Sequence, residues 1–389
     1  MGTSARIQSL ATAVPSTLLI QNEVRDVFAD QPGLSRLALR ILGAAFDGSG
    51  IETRHTVLEE LQLDRRSDDP VFFDGESRRL LSPSTKVRNE LYITEATRLF
   101  VDAGRDALEQ CADIRPSDVT HVITVSCTGF FAPGPDYMLV RELGISPAAQ
   151  RYHLGFMGCY ASMPALRLAK SFCDADPHAV VLVVSVELCT LHVRSSNDSD
   201  LIIASSLFAD GAGAAVVSAR DVGAPGPQLG LDAFETVITP VGEGDMAWTI
   251  GDQGFEMVLS SYVPQIIDDH ITDALQPLFA HEPGAHEQPA TSIQQWAIHP
   301  GGRSILDKVE SRMGLDEKQL RASREVLRDF GNMSSATILF VLRNLLDGAE
   351  SRAAERGPAD PERVCAMAFG PGLTVETALM TVLPPSGER

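Results

Sequence analysis

The six cysteines (Cys111, Cys127, Cys159, Cys173, Cys189, Cys365) are scattered, with no Cys-x-x-Cys pair and no tight framework. That pattern argues against a disulfide scaffold or a clustered metal site and fits reduced thiols in a cytoplasm. Basic residues are scarce as well: 32 Lys and Arg against 52 Asp and Glu give a formal net charge of −20. Nucleic-acid binding wants a basic stripe, so it is disfavoured, as is docking on an acidic membrane or an acidic carrier protein. An anionic ligand would need local arginines against this field. No apolar run reaches the ~18–20 residues that cross a bilayer. The first fifteen residues lack the charged-then-apolar order of a signal peptide, so a cytoplasmic location is expected. What is present is ordinary for a folded protein: 44% apolar and 22% charged residues, in a chain of 389. That length suffices for a large core or two similar half-size units.

Short β-branched runs alternate with amphipathic helical patterns. Residues 121–127 read as a buried strand, followed by a helix over 137–143. Residues 179–186 are almost continuously apolar, as in a strand covered on both faces. Helical spacing over 159–170 places Pro164 in a second turn, where it would bend the helix or remove a hydrogen bond. Residues 211–218 form a small-residue strand. A Pro/Gly stretch over 223–230 reads as a join, giving units 1–230 and 231–389. The second unit is expected to hold a long helix over about 255–278, a loop over 281–291 and a strand over 296–298. Helices after Gly302 and after Asn332 follow, then strands over 363–369 and 374–382 around Gly370-Pro371-Gly372. Strands alternating with helices point to α/β architecture with mixed or parallel sheets covered by helices.

Three small-residue turns carry reactive groups. Cys159 follows Gly158 at the expected start of a helix, where unpaired N–H groups favour a thiolate. His299 ends an apolar strand before Pro300-Gly301-Gly302, at the carboxyl edge where α/β sheets bind ligands. Asn332 stands in a Gly-Asn turn. A buried structural Cys, a structural His and a capping Asn are the ordinary readings of each residue alone. Together they compose a nucleophile with an imidazole and an amide to stabilise charged intermediates.

Several segments resemble type III polyketide synthases, the chalcone synthase superfamily. They are Gly158-Cys159-x-Ala161, Ile298-His299-Pro300-Gly301-Gly302, Gly331-Asn332-Met333-Ser334-Ser335-Ala336 and Phe369-Gly370-Pro371-Gly372-Leu373-Thr374-Val375-Glu376. Further matches are 11–15, Pro133-Gly134-Pro135-Asp136-Tyr137 and Leu207-Phe208-Ala209-Asp210-Gly211-Ala212, in the family's order over nearly the whole chain. The resemblance implies a thiolase fold of five layers, αβαβα, built from two similar halves and active as a homodimer. It implies that Cys159 holds an acyl-CoA starter as a thioester, and that His299 and Asn332 stabilise the enolate from malonyl-CoA decarboxylation. Neither a metal nor a redox cofactor is implied, since malonyl-CoA and acyl-CoA are the substrates.

The same resemblance places Phe208 and Met257 as gatekeepers, Met257 standing where many plant members have Phe. It assigns Gly370, Pro371 and Gly372 to the cavity-shaping loop, and Arg54 and Ser304 to CoA binding. Cys127, Thr128, Ala132, Glu187, Cys189 and His192 form a starter-pocket pattern similar to bacterial synthases of long-chain alkylpyrones and alkylresorcinols. Ala132, in place of a larger Met, is expected to open a side channel for an alkyl tail. The nearest rival is a ketoacyl-carrier-protein synthase of the fatty-acid initiation type. Its usual Asn-Thr-Ser-Ala-Ala differs from Asn332-Met333-Ser334-Ser335-Ala336. A papain-type hydrolase has the same residue order but lacks the local Cys-Gly-x-Cys signature. A catalytically silent acyl-CoA-binding relative is disfavoured because all three reactive residues are present.

Overall fold

Val180–Leu188 and Asp210–Ser218 are buried at every position, as strands sandwiched between layers must be. The computed structural model describes residues 4–62, 67–111, 113–222, 226–356 and 361–385. Its first part contains β1 (Arg6–Ala13), α1 (Thr85–Glu109), β2 (His121–Ser126), β3 (Gln150–Gly155), α2 (Ser162–Ala175) and β4 (Val180–Leu188). Next come α3 (Ser199–Leu207), β5 (Asp210–Ser218), β6 (Gln228–Ile238), β7 (Met246–Gly251), β8 (Gly254–Leu259) and α4 (Val263–Phe279). The chain continues through β9 (Gln295–Ile298), α5 (Arg303–Met313), α6 (Arg321–Phe330), α7 (Thr337–Asp347), β10 (Glu362–Gly370) and β11 (Thr374–Leu383).

Nine strands form one mixed sheet in the order β9-β10-β11-β6-β1-β5-β4-β2-β3. Its two halves join where Arg6 and Ile7 pair with Gly230 and Leu229. Alternation along β4 divides its side chains between two cores. Val181 and Val183 face a central layer made by α2 and α7, whose Met163, Leu166, Ile338 and Leu342 also touch Val364, Ala366 and Met380 of the other half-sheet. Leu182 and Val184 face outward onto Leu99, Phe100 and Ala103 of α1. On the opposite outer face, α4 and α5 cover Cys365, Met367 and Leu379 through Ile267, Leu275, Leu306 and Val309. The result is the expected αβαβα stack, each buried Leu or Val contributing roughly 1.5–3 kcal/mol. No described helix is long and apolar enough to cross a membrane.

Three local expectations are corrected. The helix expected over 255–278 begins only at Val263, because β8 pairs with β7 in a separate two-stranded ribbon. Alternating exposure of Glu256 and Val258 with more buried Phe255 and Met257 is a period-two pattern rather than a helical one. The 281–291 loop holds two short helical turns, Pro283–Glu287 and Pro289–Ser292. Pro164 is the third residue of α2, in a first turn whose N–H groups have no helical partner, so it removes no bond. Of the join over 223–230, residues 223–225 lie outside the described residues.

Candidate active site

Cys159 lies on the connection from β3 to α2, three residues ahead of the helix. Gly158 has φ +85°, and a Cβ there would come within 2.6 Å of Pro371 Cδ. A Cβ on Gly370 would meet the Tyr160 ring at 2.3 Å. The nucleophile turn and the Gly370-Pro371-Gly372 turn therefore interlock through missing side chains, which fixes Cys159 against the other half of the molecule. Ser162 at the helix start donates to Ser335 O at 2.6 Å and adds a second tie.

The acid–base state of Cys159 departs from the expectation of a thiolate held by a helix end. Burial pushes its thiol up to about 12, against the pull of the Ser334 hydroxyl and the Asn332 amide, which favour the anion. His299 continues from β9, its N–H donating to Met367 O at 2.8 Å. Its ring is buried, neither nitrogen has a hydrogen-bond partner, and burial lowers its pKa to about 3. Asn332 is stitched to the end of α3 by Asn332 N–H to Leu207 O and Ala209 N–H to Asn332 O, each 2.9 Å. Its Oδ1 accepts from Ser334 N at 2.8 Å, so Nδ2 is the donor left for the cavity, with Gly301 O at 3.2 Å. The resting site thus holds a neutral thiol, a neutral imidazole and an oriented amide.

These three side chains line one narrow, largely enclosed cavity. Cys127, Thr128, Cys189, Phe208, Met257 and Pro371 share its walls, as expected of pocket residues. Burial raises the Cys127 and Cys189 thiols well above the ordinary range, so both act as small apolar wall groups. Residues given no role from sequence also line it: Trp248, Met246, Leu259, Ile305 and Ser334. Ser334 was visible as part of the Gly-Asn motif, but its left-handed φ of 47° was not. Of the ribbon, only Met257 was given a role from sequence; strand 246–251 was assigned no element, and 254–259 was read as helix.

Several expected pocket residues lie elsewhere. Glu187 is fully buried behind the wall, accepting from Cys127 N at 3.0 Å, Thr128 Oγ1 at 2.9 Å and the Ser335 hydroxyl. It fixes the wall rather than facing the cavity. His192 sits one layer back, in a narrow neighbouring cavity that shares Cys189, Phe208, Trp248 and Met257 with the first. Ala132 is exposed on this chain's surface and lines neither cavity. Gly370 and Gly372 flank Pro371 without lining the cavity. Arg54 is 2% exposed and donates to Ser205 O and Phe208 O at 2.8 and 2.7 Å, so burial within the fold removes it as a phosphate contact. Ser304 is exposed at the second position of α5.

Comparison with known proteins follows the same outline. The family model "Chalcone and stilbene synthases, N-terminal domain" matches residues 2–221, and its C-terminal counterpart matches 231–384. "Type III polyketide synthase 10" of Oryza sativa subsp. japonica is 32% identical over 383 residues, covering 96% of this chain and 91% of the relative. Among solved structures, PKS-I from the brown alga Ectocarpus siliculosus superposes with a TM-score of 0.88 at 28% identity, over 98% of this chain and 99% of that one. The C-terminal type III polyketide synthase domain of Steely1, a type I/III hybrid from Dictyostelium, gives 0.83 at 26% identity, over 97% and 99%.

Proposed function

The chain belongs to the chalcone and stilbene synthase family as a type III polyketide synthase, and we propose that it loads a fatty acyl-CoA starter on Cys159 for extension with malonyl-CoA. The observation that carries this reading is the convergence of Cys159, His299 and Asn332 on one largely apolar cavity. Each ion alone would be costly there, as the shifts of Cys159 and His299 show. Proton transfer from the thiol to the imidazole creates both ions together, and their attraction offsets part of that cost. The thiolate then attacks the acyl-CoA carbonyl, the thioester forms, and CoA leaves with a proton from the imidazolium.

Malonyl-CoA binds next. Loss of CO₂ leaves an enolate whose oxygen faces the imidazole N–H and Asn332 Nδ2. A fixed donor at a developing oxyanion in a dry site is worth about 3 kcal/mol. The enolate carbon attacks the Cys159 thioester, transferring the lengthened acyl chain to CoA and returning the thiolate for reloading. Repetition and ring closure would give an alkylpyrone or alkylresorcinol.

A medium- or long-chain starter would pass between Cys189, Trp248 and Met257, walls that the active-site cavity shares with its narrow neighbour, and would have to widen the space there. Each methylene buried there would contribute roughly 0.8 kcal/mol. The exposed Ala132 adds nothing to this path within one chain. We further propose a homodimer, supported by β3, which among the described residues is a sheet-edge strand paired with β2 on one side. Ser304, near the cavity residues Gly301 and Ile305, remains a proposed CoA contact. Six free thiols support a cytoplasmic setting.

The test is product formation from ¹³C-malonyl-CoA with acyl-CoA starters from acetyl to stearoyl, read by mass spectrometry. Labelled pyrones or resorcinols from fatty starters are expected. Activity with short or aromatic starters alone would overturn the fatty-starter reading. A single condensation requiring a carrier-protein thioester would instead support the ketoacyl-carrier-protein synthase alternative.

A further inference from the structure

The ribbon of β7 and β8 walls the cavity without belonging to the main sheet. Met246, Trp248, Met257 and Leu259 point from it into the cavity, and Trp248 and Met257 also wall the second cavity. The ribbon is attached by packing and charge as well as by hydrogen bonds: Phe255 packs against Phe130 and Phe156, and Arg194 pairs with Glu256 at 3.6 Å. At the tip, Gly254 N donates to Thr85 Oγ1 at 2.8 Å and Thr85 N donates to Asp252 O at 2.9 Å. Arg194 reaches Gln253 O at 3.4 Å. Beside the cavity, Trp248 Nε1 donates to Cys127 O at 2.9 Å and Phe255 N donates to His192 Nδ1 at 3.0 Å.

That last bond settles the tautomer of His192. An accepting Nδ1 leaves the ring proton on Nε2, which donates to Thr128 O at 2.8 Å. One ring therefore spans the gap between ribbon and starter wall, stacked on Phe255 at 4.1 Å and edge-on to Trp248 at 5.7 Å. Both ends of its own segment are held, since Arg88 Nη1 donates to Leu191 O and Val193 O. The wall end is rigid because Thr128 is itself bonded to Glu187 and receives Leu188 N at 2.9 Å.

The geometry points to His192 as a positioning residue, a latch that holds the ribbon against the Cys127–Thr128 wall and sets the passage between the two cavities. By fixing Trp248 and Met257 it sets which acyl tails pass from one cavity to the other. This specificity role rests on the reading of the site as an acyl-CoA-using synthase.

The test uses the full chain and needs no substrate for its first arm. Amide hydrogen exchange over 246–259 is compared in wild type and in His192→Ala, His192→Asn and His192→Gln. With two tryptophans in the chain, a Trp296→Phe background makes Trp248 the reporter of ribbon position. His192→Ala is expected to speed ribbon exchange about tenfold, the effect of losing one such bond, and to move Trp248 emission to the red. Asn can replace Nδ1 as acceptor and should keep most ribbon protection, whereas Gln can replace only the Nε2 donor and should not. In the second arm, His192→Ala should raise the preference for long over short starters about tenfold, mainly through KM.

Unchanged ribbon exchange in His192→Ala, or equal loss in the Asn and Gln variants, would overturn the latch. An unaltered starter preference with a loosened ribbon would overturn its specificity role. If wild type makes no polyketide at all, the functional reading fails while the ribbon measurements still judge the latch.

Discussion

The cavity has two walls of different construction. On the sheet side, Cys127, Thr128 and Ser335 converge on the buried Glu187 carboxylate, which is anchored in β4 at the centre of the fold. On the ribbon side, Trp248, Met257 and their neighbours stand on a two-stranded element held mainly by side-chain bonds. The difference separates chemistry from selection. Proton transfer and oxyanion binding tolerate little displacement, so Cys159 and Asn332 are tied through Ser162, Ser334, Ser335 and interlocked glycine turns to the rigid side. Fitting a flexible tail tolerates more movement, and Met257 adds an adaptable thioether at the looser wall.

The sharpest break in this comparison is on the rigid side. Cys159→Ala should abolish polyketide formation in the mass-spectrometric assay, since no other thiol in the cavity can take its place. Asn332→Ala should lower kcat/KM by about a hundredfold, the loss of roughly 3 kcal/mol of oxyanion stabilisation. A steady-state loss under threefold would remove Asn332 from that role.

Stability should divide along the same line. Glu187→Ala leaves Cys127 N and the Thr128 and Ser335 hydroxyls without their acceptor. We expect a loss of about 3 kcal/mol in urea unfolding, as for other broken buried networks. The pH dependence is a gentler test. His192 and His299 have folded pKa values near 3, below the ordinary 6.5, so both contribute stability that is present above 6.5 and lost as pH falls towards 3. Asp210, raised by burial to about 6, acts in the opposite sense, losing stability as pH rises through the interval from 3.8 to 6. Two histidines outweigh one carboxyl throughout pH 6.5 to 5, so unfolding free energy should decline on acidification. The net slope should stay at about 1–1.5 kcal/mol per pH unit from pH 6.5 to 5, because the histidines' contribution grows as Asp210's opposition does. A flat profile from pH 6.5 to 5 would contradict neutral buried imidazoles.

What the sequence disclosed was local and what it hid was tertiary. Unbroken apolar runs such as 179–186 announced the doubly covered strands, and the small-residue turns around Cys159, His299 and Asn332 announced the reactive groups. Trp248 was missed because no element was assigned to 246–251, while its partner strand over 254–259 was read as the start of a helix, which hid the pairing of Trp248 with Met257. Arg54 was assigned to CoA binding. Its short strand, Thr53–Thr56, instead turns every second residue inward, and there Nη1 donates to two backbone carbonyls. Glu187 and His192 were identified as pocket residues, but one-dimensional spacing does not distinguish a group facing a cavity from one supporting it a layer behind.

The most direct test of the central claim is single-turnover loading. Wild-type protein and Cys159→Ala would be mixed with a ¹⁴C-labelled fatty acyl-CoA, followed by peptide mapping and then a chase with malonyl-CoA. A thioester confined to the Cys159 peptide, discharged by malonyl-CoA into a longer labelled product and absent from the variant, is the predicted result. Label on another residue, or a Cys159 thioester that malonyl-CoA leaves intact, would contradict the account.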